Sequence, residues 1–278
     1  MKLATIRTGD GTHAARVEGD TLVELEAPDV GALLREHSDL AVGAARVTGV
    51  EHEIARASLA PVVLDPGKIV CVGVNYADHI AELGREAPSH PTLFAKFTDA
   101  LVGAHDPIVL PAVSDAVDWE VELTVVIGRD VRHADAREAA RAIGGFTVAN
   151  DISMRDWQHR TAQWLQGKTF EHATPVGPWM VTPDEVGGAA PDLELTCTVD
   201  GVVRQHSRTS QLVFGPAAVV AYASDVVTLR PGDLVLTGTP GGVGHAMDPP
   251  VYLGEGQVVR ASIEGIGELV NQCVAERP

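Results

Sequence analysis

Aromatic residues are scarce, 4 per cent of 278, so Val, Ala and Leu must supply most of the core that a chain of this length can bury. Cysteine is scarcer still. Cys71, Cys197 and Cys273 are widely spaced and odd in number, with no C-x-x-C pair and no histidine at zinc-ligand spacing. That pattern excludes a disulfide framework and fits a reducing compartment. Lys plus Arg number 21 against 38 Asp plus Glu, a net charge of -17, which argues against a phosphate backbone or an anionic membrane surface as partner. No uncharged apolar run of about 18 residues exists, and the first residues, Met1 to Arg7, lack the apolar stretch and cleavage site of a leader. The expectation is an intracellular, cytoplasmic protein. The glycine-rich stretch Gly238-Thr239-Pro240-Gly241-Gly242-Val243-Gly244-His245 lacks the Gly-Lys-Ser/Thr ending of a phosphate loop, so nucleotide binding is a weak reading. Its backbone N–H groups can still serve a substrate carboxylate.

Residues 1–64 read as a small N-terminal α/β domain, with strands near 3–7, 13–17 and 21–25 and a helix capped by Asp29 that carries Ala32, Leu33 and Leu34. Asp65-Pro66-Gly67 marks the boundary with a second domain, 65–278. There, a strand at 69–74 leads into a helix from Tyr76 with Ile80 and Leu83 on one stripe. The polar, proline-broken segment 84–91 reads as a surface loop able to act as a lid. A helix at 135–142, a rigid turn at 174–178, a hairpin at Asp200-Gly201 and short late strands complete the pattern. Many short strands with few helices predict a β-rich α+β fold rather than regular βαβ units.

The chemistry concentrates in 118–151. Asp118-Trp119-Glu120-Val121-Glu122-Leu123 alternates acid and apolar residues before a Val/Ile run, which places Glu120 and Glu122 on one face of a strand. Asp151 closes a second apolar run. Three carboxylates offer hard oxygen ligands to Mg²⁺, Mn²⁺ or Ca²⁺; the competing reading is a solvated edge-strand face. His79 and Glu82, three apart on a helix, can form an oriented general base or an ordinary surface pair. Lys168 is one of four lysines, and beside a metal it could bind an oxyanion.

Eight segments, in order, resemble the fumarylacetoacetate hydrolase superfamily: Asn75-Tyr76-x-x-His79-x-x-Glu82, Pro107-Ile108-Val109-Leu110-Pro111, the Asp118 to Leu123 stretch, Asn150-Asp151-Ile152-Ser153-x-Arg155-Asp156-x-Gln158, Gln166-Gly167-Lys168-Thr169-Phe170, Pro175-Val176-Gly177-Pro178, the loop from Thr237 to Gly244, and Ile263-Glu264-Gly265-Ile266-Gly267. The resemblance implies a mixed β-sandwich roll behind a small N-terminal domain, and a homodimer. By position it implies Glu120, Glu122 and Asp151 as Mg²⁺ or Mn²⁺ ligands and His79 with Glu82 as a water-activating dyad. Lys168 would contact substrate oxygen, and Tyr76, Arg155, Gln158, Gly238 and Thr239 would line the substrate site. Two departures from the family pattern bear on which substrate is taken: Glu171-His172 after Phe170, expected to alter the pocket wall, and Phe97-Thr98 after Lys96.

The expected function is hydrolytic cleavage of a carbon-carbon bond in a β-diketo acid of the acylpyruvate or fumarylpyruvate type, through an enolate held at the metal. The alternative is an isomerase or decarboxylase of 2-oxo or 2-hydroxy-dienoic dicarboxylic acids, of the oxaloacetate or 2-hydroxyhepta-2,4-diene-1,7-dioate type. A third reading, from another class, is a non-catalytic metal- or ligand-binding protein. For the enzyme readings the expected partner is a small oxo acid, and in no case nucleic acid or membrane.

Overall fold

The computed structural model describes residues 1–84 and 86–277; Arg85, within the loop expected at 84–91, lies outside the described residues. The chain opens with an antiparallel meander, β1 (Lys2–Thr8), β2 (Gly11–Glu18) and β3 (Thr21–Leu25), whose apolar positions Leu3, Ile6, Ala14, Leu22 and Leu25 are buried. Helix α1 (Val30–Glu36) starts where the Asp29 carboxylate accepts the Ala32 N–H. After α2 (Leu40–Ala44) comes β4 (Val47–Glu53), an edge strand exposed over almost its whole length and therefore without the alternation that would announce it. Next come β5 (Ser58–Leu59), β6 (Ile69–Gly73), α3 (Ala77–Glu82), β7 (Thr92–Lys96), β8 (Leu101–Val102), β9 (Ile108–Leu110) and β10 (Val117–Asp118). The middle of the chain supplies β11 (Val121–Ile127), α4 (Ala136–Ala142), β12 (Ile143–Asn150), β13 (Ser153–Met154), α5 (Arg155–Gln158), α6 (Leu165–Lys168) and β14 (Thr174–Val181). The rest is β15 (Glu194–Val199), β16 (Val202–Arg208), α7 (Pro216–Val226), β17 (Leu234–Leu236), β18 (Val258–Ile263) and β19 (Gly267–Ala275).

The architecture is mixed and sheet-rich, as the α+β expectation held. A 12-stranded sheet runs β4-β3-β2-β1-β14-β12-β11-β17-β6-β7, with β5 attached to β1 and β8 to β14, and a 5-stranded sheet runs β16-β15-β18-β19-β9. β1 pairs with β14 at Lys2↔Val181 and Leu3↔Met180, so the N-terminal strands extend the sheet that carries the acids. Strands β18 and β19 pack across β12. At the centre of the large sheet, all seven residues of β11 are buried. Its alternate side chains feed two cores, Leu123, Val125 and Ile127 on one face and Val126 on the other. Such a strand reads as a continuous Val/Ile run because both its faces are covered.

Two local expectations are corrected. Residues 174–178 are not a turn but the first half of β14. Its prolines fall at a change of partner, Pro175 beside Val102 of β8, and within the irregular step against β12, where a missing N–H costs no regular ladder bond. Leu83 does not share the burial of Ile80: α3 ends at Glu82 and Leu83 is 36% exposed.

Candidate active site

Glu120 stands one residue before β11, Glu122 is its second residue, and Asp151 directly follows β12. Pairing of Val121 with Asn150 and of Glu122 with Ala149 brings the three acids to the same end of the two strands. The Glu120 N–H donates to the Asn150 side-chain oxygen (2.9 Å) and the Asp151 N–H to the Glu120 carbonyl (2.8 Å), which fixes both backbones. One oxygen from each acid lies within 4.8 Å of the others, and all three residues are buried. The structure thus brings together the trio that the spacing suggested.

The surrounding cations do not share themselves evenly. Lys96 Nζ lies 2.5 Å and Lys168 Nζ 3.0 Å from the Asp151 oxygens, while Lys168 (2.6 Å) and Arg155 (2.7 Å) flank Glu120. Arg155 also holds Asp118 (2.8 Å) and donates to Gln158 (2.8 Å). Among the described residues, Glu122 accepts only the Gly238 N–H, at 2.6 Å. Burial alone would raise Glu120, but Lys168 and Arg155 outweigh it and hold its carboxyl below the usual range. Burial, reinforced by Asp151 and Glu120, pushes Glu122 well above that range. For Lys168 burial works against the charge, yet Asp151 and Glu120 prevail and keep it a firm ammonium.

Counting Asp118, four carboxylates face three cations, one negative charge in excess. A buried acid with no paired cation among the described residues, its oxygen within 4.8 Å of two carboxylates that retain free lone pairs, fits a hard divalent ion. Glu120, Glu122 and Asp151 would hold it, and the site would then carry one net positive charge.

His79 and Glu82, the pair expected as a dyad, lie beside the same space. His79 Nδ1 is 2.8 Å from Glu82 Oε2, and Glu82 Oε1 accepts the Gly242 N–H (3.0 Å), so the glycine loop steadies the dyad. The adjacent Asp78 accepts the Ser207 hydroxyl (2.7 Å). A cavity of about 180 Å³ is lined by His79, Glu120, Glu122, Arg155, Gln158, Lys168 and Thr239, with Val72, Phe94 and Trp164 as apolar wall. Trp164 packs edge-on against Phe94 and so close over Gly73 that a Cβ there would stand 2.2 Å from the indole.

Of the remaining expected residues, Thr239 lines the cavity, but its hydroxyl is engaged by the Val121 carbonyl (2.9 Å) and Gln205 (2.8 Å). Gly238 turns its N–H to Glu122, in a left-handed conformation (φ 102) where a Cβ would meet Asn75 at 2.9 Å. Tyr76 is fully buried beneath the site and does not line the cavity. The Glu171-His172 departure does not alter the wall as expected, since both residues are exposed and neither borders the cavity; Phe97, 56% exposed, does not border it either.

Two residues escaped the sequence reading. Lys96 ends an apolar strand and is buried against Asp151; its signal was a lysine where a fourth apolar residue would fit. Asp118 accepts the N–H groups of Gly244 (2.7 Å) and His245 (3.0 Å) as well as Arg155, tying the acidic strand to the glycine loop. No local pattern announces contacts that span 126 residues of chain.

An oriented histidine and buried carboxylates that could hold a divalent cation line one cavity on a mixed sheet, an arrangement found in enzymes. The chain belongs to the fumarylacetoacetate hydrolase family: the sequence profile described as fumarylacetoacetate (FAA) hydrolase C-terminal matches residues 68–274. It is 46% identical to the mitochondrial oxaloacetate tautomerase Fahd2a of Rattus norvegicus over 217 residues, 78% of this chain and 69% of that protein. Among solved structures, it resembles 2-hydroxyhepta-2,4-diene-1,7-dioate isomerase from Mycobacterium marinum, with 37% identity and TM-score 0.82 over 100% of both chains. It also resembles maleylpyruvate hydrolase from Sphingobium sp. SYK-6, with 30% identity and TM-score 0.82 over 99% of this chain and 100% of that one. Among the described residues, no helix is long and apolar enough to cross a membrane.

Proposed function

We propose that the protein interconverts the keto and enol forms of a 2-oxo dicarboxylic acid of the oxaloacetate type, with Mg²⁺ or Mn²⁺ as cofactor. The observation that carries this reading is the presence, in one cavity, of the Glu82-oriented His79 and the uncompensated Glu122. Bound by Glu120, Glu122 and Asp151, the cation would polarise the 2-oxo and neighbouring carboxylate oxygens and so acidify the adjacent C–H. With Nδ1–H directed at Glu82, His79 presents Nε2 to take that proton, and the proton is returned at the oxygen to complete the tautomer. Glu82 stabilises the imidazolium formed on the way. Lys168, firmly an ammonium, donates to the developing oxyanion rather than acting as base.

Proton transfer needs no nucleophilic water, which is why the isomerase-type reading is preferred to the carbon-carbon hydrolysis anticipated from sequence. The tautomerase and isomerase names among the relatives support the same order. Hydrolysis stays as the second reading because of the likeness to maleylpyruvate hydrolase. The three free, buried cysteines suit any reducing compartment, the cytoplasm included.

Ultraviolet absorbance of the enol decides between them. Catalytic enzyme with Mg²⁺ is expected to speed the approach of oxaloacetate to its keto-enol equilibrium, and EDTA to abolish the effect. No acceleration, together with incorporation of labelled water oxygen into a new carboxylate from an acylpyruvate, would replace tautomerisation by hydrolysis.

A further inference from the structure

Two imidazoles line the cavity without a part in the chemistry above, His159 and His245. They come from separate segments, one just after α5 and the other at the end of the glycine loop. Their rings stack with centroids 5.2 Å apart at 28°. His245 Nδ1 lies 2.9 Å from the Tyr252 hydroxyl, and the Tyr252 ring stacks on it at 6.2 Å. The backbone of His245 is anchored as well, its N–H donating to the same Asp118 carboxylate that holds Arg155. This imidazole is therefore held in place by its ring and by its backbone.

The other cationic groups of the cavity are turned toward the acids at its base. Arg155 spends Nε on Asp118, Nη1 on Gln158 and Nη2 on Glu120, and Lys168 lies against Glu120 and Asp151. A 2-oxo diacid brings two carboxylates. The one beside the oxo group belongs with it at the three acids and their cation, whereas the second requires donors elsewhere. When the Tyr252 hydroxyl donates to Nδ1, the proton of His245 sits on Nε2 as a hydrogen-bond donor.

We propose that His245, seated by Tyr252 and stacked on His159, receives the second carboxylate of a 2-oxo dicarboxylic acid and makes the site selective for diacids over mono-acids. The proposal rests on the oxo-acid reading above and names its substrate class.

Binding of 3,3-difluorooxaloacetate, which cannot enolise, and of its C4 ethyl ester to the Mg²⁺-loaded protein tests it by calorimetry, independently of turnover. Wild type is expected to prefer the diacid, and H245L to lose about tenfold of that preference, as for a hydrogen bond to a charged group. H245Q, which keeps a side-chain N–H, should recover part of it, and Y252F should lose less than H245L. A diacid preference that survives H245L within about twofold overturns the proposal, as does a wild type that binds diacid and ester alike. Should the preference collapse in H245L while wild type fails to tautomerise oxaloacetate, the carboxylate subsite stands and the proposed reaction falls.

Discussion

Two glutamates are buried on strands of the same sheet, and their surroundings differ completely. Glu24, on β3, has His52 Nε2 at 3.0 Å, the Thr48 hydroxyl at 2.9 Å and His13 Nδ1 at 3.6 Å. Glu122, on β11, has one backbone N–H and two neighbouring acids. The first side chain is satisfied by the fold across β2, β3 and β4 and needs nothing more. The second is left costly, and a cation from outside is what would settle it. Burial of an acid is thus no sign of function, while missing compensation is.

Replacing each glutamate breaks the comparison in a different observable. Glu122→Gln should lower cation-dependent turnover on the order of 10³-fold, because it removes a ligand that supports several kcal/mol of charge stabilisation; initial rates during Mn²⁺ titration check it. His79→Ala, which keeps the trio intact, should cost on the order of 10²-fold in kcat while calorimetry shows Mn²⁺ affinity little changed. Equal activity in this variant would show that the base lies elsewhere.

The stability of the metal-free protein sharpens the contrast through pH. The folded-state pKa of Glu122 lies above its unfolded value, so this group favours the fold while it is protonated and loses that contribution as pH rises through the folded pKa. Urea unfolding with chelator present should therefore show Glu122→Gln gaining on wild type between pH 5 and pH 8. A gap that does not widen with pH would mean that Glu122 is compensated after all. Smallest is the expected effect of Glu24→Gln: a loss of about 1 to 2 kcal/mol in unfolding free energy from weakened bonds to His52 and Thr48. Its turnover should stay near wild type, as the N-terminal cluster borders no part of the cavity.

Much of this site is legible in the chain because it is built from local patterns. Alternation locates Glu120 and Glu122, a three-residue step pairs His79 with Glu82, and the Asp29 cap and the Asp200-Gly201 hairpin follow from short-range turn chemistry. What stays hidden depends on distant segments. Lys96 sits in the site because β7 pairs with β6 and β6 with β17, a parallel neighbour that no sequence pattern names. β4 hides because an exposed edge strand has no apolar period. The isomerase-type preference was hidden for another reason: a carboxylate trio beside an oriented histidine can serve hydrolysis and proton transfer alike, so residue types do not separate them.

Arg155 gives the site a property that belongs to neither the acids nor the loop alone. Its guanidinium touches Glu120 with one nitrogen and Asp118 with another, and Asp118 in turn fastens Gly244 and His245. A ligand that settles the glycine loop and an ion that settles the acids therefore draw on one shared arginine. Thermodynamic reciprocity follows: whatever factor the ion adds to the affinity for a carboxylate at the loop, that carboxylate must add to the affinity for the ion.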